Sequence, residues 1–376
     1  MRINFGDLVI GDIAKKNFQK IFDKNWASEG ELVKEFEEKF ANKFGYKYAI
    51  ATSSGTDAVM CTCVSLYDFG AERGDEIIAP ALSFVATSNA ILAAGFIPKF
   101  VDIELESLNL DPSKIEESIS EKTKAIMVVH TMGKPCKMDE IKEIADKYEL
   151  KVIEDACEAH GAKYKGENVG TIGDIGAFSF YTAHLVVSVE GGMVVTNDDK
   201  IADVVRSVKS HGRPPGSTYF DFQRIGFNSK TTELTSAIGL EGLEQFDENF
   251  NKRKQNLYKL LELTKDMSDQ FYFINEDKHE VLSPHAYPIV IKPIYERKIN
   301  IDDLYRYLES KEIQCKTLFG SLPTQHNVFR FLRYKLGDFP VAEYVGNNGL
   351  HFGIHQYLKK DDLVYISDTL RKFKLN

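Results

Sequence analysis

Positive charge is scarce in this chain: 47 lysines and arginines stand against 56 aspartates and glutamates, a formal net charge of −9. A general nucleic-acid binder needs a basic face to displace counterions from phosphates, so no nucleic-acid partner is expected. Local basic patches for a small anionic substrate remain open. Long apolar runs are missing as well. The longest are short and interrupted, far below the roughly 18–20 residues of a membrane span. The opening MRINFGDLVIGD has one positive charge and early acidic residues, unlike a signal peptide. A cytoplasmic protein without membrane attachment is the expectation. Cysteines number only five, Cys61, Cys63, Cys136, Cys157 and Cys315. The count is odd and no CxxC pair occurs, so neither a disulfide framework nor a zinc ribbon is indicated. Eleven prolines and the lack of repeats exclude Pro-rich and collagen-like architectures.

What is present is ordinary globular composition, 43% hydrophobic and 27% charged, over 376 residues. At roughly 150 residues per domain, that length suggests two or three domains. Short apolar runs recur at Tyr48–Ala51, Glu76–Pro80, Lys99–Asp102, Ala125–His130, Lys151–Asp155, Gly176–Tyr181 and Met193–Thr196. Several are apolar at consecutive positions, as strands of a mostly parallel sheet buried on both faces must be. Helical patterns lie between them. One opens at Met138, with Asp139 as its cap and Ile141, Ile144, Ala145 and Tyr148 as its apolar stripe. Another precedes the sheet: Val33, Phe36, Phe40 and Phe44 recur at helical spacing and Gly45 stops the helix. This is an α/β pattern with helices flanking the sheet.

Residues 231–263 read as one long helix, with Leu234, Ile238, Leu243 and Phe246 on one side. Beyond it come a strand at Tyr287–Ile291, a helix at Ile301–Leu308, an irregular segment at Thr317–Leu332 and a helix at Asp361–Phe373. The expected division is a large α/β domain over 1–245, with an N-terminal helical segment, and a smaller α+β domain over 246–376.

Three segments carry chemistry. In Thr52–Ala58 (TSSGTDA) a strand runs into small hydroxyl residues and a glycine, and a helix runs out. Free amides at a helix start make an anion cradle, though an ordinary helix cap has the same residues. No Gly-Lys-Ser/Thr follows, so it is not a P-loop. In Val152–Gly161 (VIEDACEAHG), Asp155 sits at the end of a buried strand, where α/β proteins bind ligands. The third is Phe178–His184 (FSFYTAH), followed by the hairpin Glu190–Asp198. Gly170, Gly173 and Gly176 precede a strand instead of following one; they read as a turn and not as a dinucleotide fingerprint.

Together these segments resemble the nucleotide-sugar aminotransferase family, fold-type I enzymes that use pyridoxal phosphate. The shared motifs are the Ser-Gly-Thr loop, Gly74–Ile78 through Ser83-Phe84, Phe100–Ile103, Glu154–Ala162, Gly173–Phe180, Glu190–Asp198 and Ile225–Leu234. The resemblance covers essentially the whole chain. It implies a mostly parallel seven-stranded sheet flanked by helices. It also implies that Gly55, Thr56 and Ser179 hold the cofactor phosphate, that Phe84 stacks on the ring, and that Asp155 pairs with the ring nitrogen. Asn228 matches a residue that reaches the neighbouring subunit's phosphate, so a homodimer with shared active sites is implied.

The chain departs from this pattern where the aminotransferases place the lysine that anchors the cofactor. That position is His184, and no lysine lies within ten residues of it. Imidazole cannot anchor an aldehyde stably but can move a proton. This resembles the sugar 3-dehydratase branch of the family. Glu158, where aminotransferases usually have Gln, leans the same way. Downstream of His184 only Cys315 remains, so the four thiolates of an iron–sulfur cluster cannot be assembled. The branch implies pyridoxamine phosphate held non-covalently and a nucleotide-linked 4-keto-6-deoxysugar as substrate. It implies L-glutamate as amino donor and His184 as the group that takes a proton from the cofactor's C4′ carbon and assists loss of the C3 hydroxyl. The alternatives are an aminotransferase anchored by another lysine and a non-catalytic homologue. His211 and Arg213 are candidates for substrate contact, as is the segment Lys316–Gln325. His351 and His355 sit four apart in HFGIH, which reads as a strand, so no metal site is expected there.

Overall fold

A computed structural model describes residues 2–6, 8–217 and 219–373. Its strands are, in chain order, β1 Tyr48–Thr52, β2 Glu76–Pro80, β3 Ile97–Val101, β4 Thr123–Val129, β5 Lys151–Asp155, the short β6 Lys163–Tyr164 and β7 Glu167–Asn168, β8 Ile175–Ser179 and β9 Gly192–Thr196. Then follow β10 Phe271–Phe273, β11 Glu280–Val281, β12 Ala286–Ile291, β13 Cys315–Thr317 and β14 Gly349–Gly353. The helices are α1 Asp12–Lys24, α2 Glu31–Phe44, α3 Gly55–Ser65, α4 Val85–Ala93, α5 Met138–Lys147, α6 Asp199–Val208, α7 Glu233–Glu244, α8 Phe246–Leu263, α9 Ile301–Ser310, α10 Leu322–Gln325, α11 Pro340–Asn348 and α12 Lys360–Lys372.

The seven runs expected from the sequence form one sheet, in the order β1-β9-β8-β5-β4-β2-β3. Neighbours from β3 to β8 pair in parallel, and β9 runs antiparallel to both β8 and β1. Its central strands are largely apolar and buried on both faces, as β4 (TKAIMVV, with Lys124 half-buried) and β9 (GMVVT, wholly buried) illustrate. A second sheet, β10-β12-β14-β13, is antiparallel. The strand read at HFGIH is β14, whereas β10 and β13 were not anticipated from the sequence, since each is only three residues long and gives no periodicity to read.

α2 packs as expected: Val33, Phe36, Phe40 and Phe44 are buried, Phe40 lies 5.4 Å from Phe178 of β8, and Gly45 closes the helix at φ 76°. Four expectations need correction. Asp139 does not cap α5; Lys137 holds the cap position without a side-chain bond, and Asp139 instead pairs with Lys165 and Tyr164. Tyr148 ends outside the stripe, half-exposed, bonding Glu116. The long helix at 231–263 is two helices, broken at Gln245, and Leu234 faces out of the core. The segment Thr317–Leu332 is not irregular throughout, since it holds α10 and a 3-10 turn at Asn327–Leu332.

Helix α7 stabilises the starts of two other helices. α1 and α2 begin at Gly11 and Gly30, which lack cap side chains. Buried Glu233 accepts the amides of Leu32 (3.1 Å) and Val33 (3.0 Å), and Glu241 accepts that of Ala14 (3.0 Å). Each carboxylate thus acts as a remote cap at the positive end of a helix dipole. A Glu233→Ala variant should lose about 1–2 kcal/mol of stability, read by urea unfolding. Glu233→Gln, which keeps one acceptor, should lose less; equal loss in both would assign the effect to packing.

Candidate active site

The carboxyl ends of β1, β2, β4, β5 and β8 surround a cavity of about 360 Å³. This is where an open α/β sheet offers loops and helix starts to a ligand. A larger cavity, of about 510 Å³, lies elsewhere and contains none of the motif residues. Its buried Lys134 is already paired with Asp277 (2.7 Å) and Glu280 (2.6 Å).

The loop after β1 builds one wall. The Ser54 hydroxyl accepts the Asp57 amide at 3.1 Å, so the ordinary helix cap is present. The cradle is present beside it. α3 begins at Gly55, so the amides of Gly55 and Thr56 precede the first intrahelical acceptor. A Cβ on Gly55 would stand 2.5 Å from the Ser179 Cβ, so only glycine lets the helix start press against the end of β8. Gly55, Thr56 and Ser179 all line the cavity.

Asp155 ends β5, is buried, and lines the same cavity. Its oxygens accept from the Thr87 hydroxyl (2.7 Å) and the Cys157 amide (3.2 Å). Among the described residues no cation is paired with it. A buried carboxylate with hydrogen bonds but no countercharge fits a cationic ligand atom. The preceding Glu154 points the other way and is wholly buried. It binds the His130 ring (2.9 Å) and accepts the amides of Gly170 (2.7 Å) and Gly173 (2.6 Å). The glycine run is therefore a carboxylate support behind the site as well as a turn.

Glu158 lines the cavity, and its Oε2 accepts the Met132 amide at 2.6 Å. Its carboxyl is pushed up to about 7, by burial foremost and by Asp155, against the opposing Met132 amide and Lys316. Phe84 caps α4 at the rim, largely exposed, with Phe319 edge-on at 6.0 Å. His184 lies in the loop after β8, buried and cavity-lining. Its amide donates to the Tyr181 carbonyl (2.9 Å), and its Nδ1 is a buried atom without a hydrogen-bond partner.

The structure brings seven of the expected residues together: Gly55, Thr56, Phe84, Asp155, Glu158, Ser179 and His184. Asn228, His211 and Arg213 do not line this cavity. Asn228 is exposed and accepts from Lys230, and Arg213 donates to the Ser210 hydroxyl at 3.2 Å. Of the segment Lys316–Gln325, Lys316 and Phe319 reach the cavity. Sequence reasoning missed Thr87, Glu190, His285 and His351. Thr87 follows Phe84 by one helical turn, a spacing that could have found it. His351 is on strand β14, as expected, directly opposite Lys316 of β13.

The cavity fits a pyridoxal-phosphate-type group. It has an anion cradle that a Cβ at Gly55 would fill, a buried carboxylate without a cation, and an imidazole nitrogen without a partner. The fold is that of fold-type I aminotransferases.

The chain belongs to the DegT/DnrJ/EryC1/StrS aminotransferase family, whose model matches residues 9–371. It is similar to a GDP-perosamine synthase of Escherichia coli O157:H7, 34% identical over 370 residues, 96% of this chain and 95% of that one. It is also similar to a GDP-4-keto-6-deoxy-D-mannose 3-dehydratase of Yersinia pseudotuberculosis, 30% identical over 375 residues and 94% of each chain. A crystal structure of GDP-4-keto-6-deoxymannose-3-dehydratase with a trapped PLP–glutamate geminal diamine matches with a TM-score of 0.89. It is 28% identical and covers 98% of this chain and 100% of that one. The family is pyridoxal-phosphate-dependent. Its similar members include dehydratases, perosamine synthases and a transaminase, so membership sets the cofactor and leaves the reaction to the site. No helix among the described residues is long and apolar enough to cross a membrane.

Proposed function

We propose that this protein removes the C3 hydroxyl from a nucleotide-linked 4-keto-6-deoxysugar, giving a 3-deoxy-4-keto sugar and ammonia. L-Glutamate returns the cofactor to its amine form. The observation that supports it is His184: an imidazole lines the cavity from the position to which the family resemblance assigns the anchoring lysine. Bound here, pyridoxamine phosphate supplies an amine for the substrate ketone and a ring that takes up electrons. The amides of Gly55 and Thr56 with the Ser179 hydroxyl would hold its phosphate, Asp155 would pair with its ring nitrogen, and Phe84 would stack on its ring. Glu158 is a further contact. His184 takes the proton from the cofactor's C4′ carbon and returns one to the departing C3 oxygen.

Asn228 matches the family residue that serves a neighbouring subunit's cavity, which makes a homodimer part of this reading. Asn228 would reach the partner's cofactor phosphate, and His211 and Arg213 are the substrate contacts of this reading. A division of the chain near residue 245 and a cytoplasmic location complete it.

A second reading has one observation in its favour. Lys316 lines the same cavity and could anchor the cofactor aldehyde in an aminotransferase. Two measurements separate them. Incubation with pyridoxal phosphate, L-glutamate and GDP-4-keto-6-deoxymannose should yield a sugar lacking one oxygen, with ammonia released, by mass spectrometry. Borohydride treatment of the pyridoxal phosphate complex should leave no cofactor on the protein. A new sugar amine, with cofactor fixed to Lys316, would replace the dehydratase by the transaminase.

A further inference from the structure

The position of His184 creates a difficulty for a base. It is buried, and among the described residues no carboxylate pairs with its ring. The charges that act on it are positive, Arg253 and Lys316, and with burial as the largest cause they push its pKa down to about 3. Such an imidazole can accept a proton in passing but cannot hold it.

The route to an anion runs through His285. This residue precedes β12, is buried, and places its ring 5.0 Å from that of His184, with the planes 33° apart. Its Nε2 lies 3.7 Å from Glu158 Oε1, the oxygen not held by the Met132 amide. Three segments far apart in sequence thus set His184, His285 and Glu158 in a row along one wall of the cavity.

We propose that His285 and Glu158 form a proton relay for His184, resetting the base within each turnover; this rests on the reading of His184 as the general base. His184 accepts a proton at Nε2, and a small rotation of the two rings, which touch without a hydrogen bond between them, lets Nδ1 release its proton to His285. His285 passes its own to Glu158 Oε1, and the carboxylate becomes a carboxylic acid. One proton moves, the donor carbon keeps the electron pair of its C–H bond, and no protein group is oxidised or reduced. Reversal returns the proton for the leaving hydroxyl.

The proton affinities run in the required order. Glu158, pushed up to about 7, binds a proton more tightly than His184 at about 3. His285 lies well below its ordinary value, through burial first and then His184, Arg253, His351 and His160. Of the groups that face the row, Arg253 and Lys316 are cations, the other histidines are buried, and Asp155 acts on Glu158. Glu158 is thus the anion that the relay can end on.

The first test uses the protein without cofactor. Carbon NMR of labelled histidine should show the His285 signal inflecting near pH 7 as Glu158 ionises, and this inflection should vanish in Glu158→Gln. Persistence in the variant, or its absence from the parent protein, would overturn the relay. The second test uses the loaded enzyme. His285→Ala should slow both the L-glutamate half-reaction and dehydration about a hundredfold, and added imidazole should restore much of the rate. Full rate without imidazole would overturn the proposal. A wild-type enzyme that makes no 3-deoxy sugar, yet whose glutamate half-reaction slows in His285→Ala, would remove the dehydratase and keep the relay.

Discussion

A His184→Asn variant should bind pyridoxamine phosphate within about threefold of the parent protein but dehydrate its sugar substrate about 10²- to 10⁴-fold more slowly, the span of general acid–base catalysis. Asparagine keeps a polar side chain of similar reach, so the cradle at Gly55, Thr56 and Ser179 and the Asp155 carboxylate stay intact. Only the proton-carrying nitrogen is lost. Fluorescence titration would read the first quantity and mass spectrometry of the sugar the second. Retained turnover would remove His184 from the chemistry; lost binding would make it a cofactor ligand. The pH dependence adds a sign. Because burial, Arg253 and Lys316 hold His184 at about 3, the ring stays neutral, and available as a base, at every pH above that. An acid limb near 6.5, the reference value of a free histidine, is therefore not expected from His184. A limb near 7 belongs to Glu158, whose ionised form is the one able to accept a proton, so turnover should rise with pH through that region.

How much of this was legible in the sequence depends on how local each signal is. The strands of the main sheet were readable because most are short, continuously buried runs, several with a helix pattern after them, as in Glu76–Pro80. The cradle and Asp155 were readable because a strand end and a helix start adjoin in the chain. The break at Gln245 was not. Its residue is helix-compatible (φ −82°, ψ −2°), and no Gly or Pro marks the place where α7 turns into α8. Asp139 looked like a cap because capping residues and first-turn acids are the same residue types; the chain uses it to bind Lys165 instead. His285, Lys316 and His351 reach the cavity only because the C-terminal part of the chain closes one side of it. No spacing within their own segments encodes that meeting.

The same logic of remote support applies to Arg253, whose replacement should have the largest effect on stability. Its side chain is 1% exposed in α8, and it donates to the carbonyls of Ala183 (3.0 Å) and His184 (2.9 Å) and to the Gln356 side chain (2.8 Å). Among the described residues no carboxylate is paired with it, so burial lowers its pKa to about 10, still charged at neutral pH. Arg253→Met fills the same space without donors. Each buried carbonyl left unpaired costs about 1–3 kcal/mol, while removing a buried charge recovers part of that. The net expectation is a loss of about 2–4 kcal/mol in urea unfolding. Turnover should fall too, even at temperatures where the variant stays folded, because the two carbonyls fix the backbone that aims His184 into the cavity. Arg253→Lys, with its single ammonium, should recover part of the stability and less of the turnover. If Arg253→Met kept the parent stability and rate, the loop after β8 would have to be held by its own Tyr181–His184 turn, and the guanidinium would be packing alone.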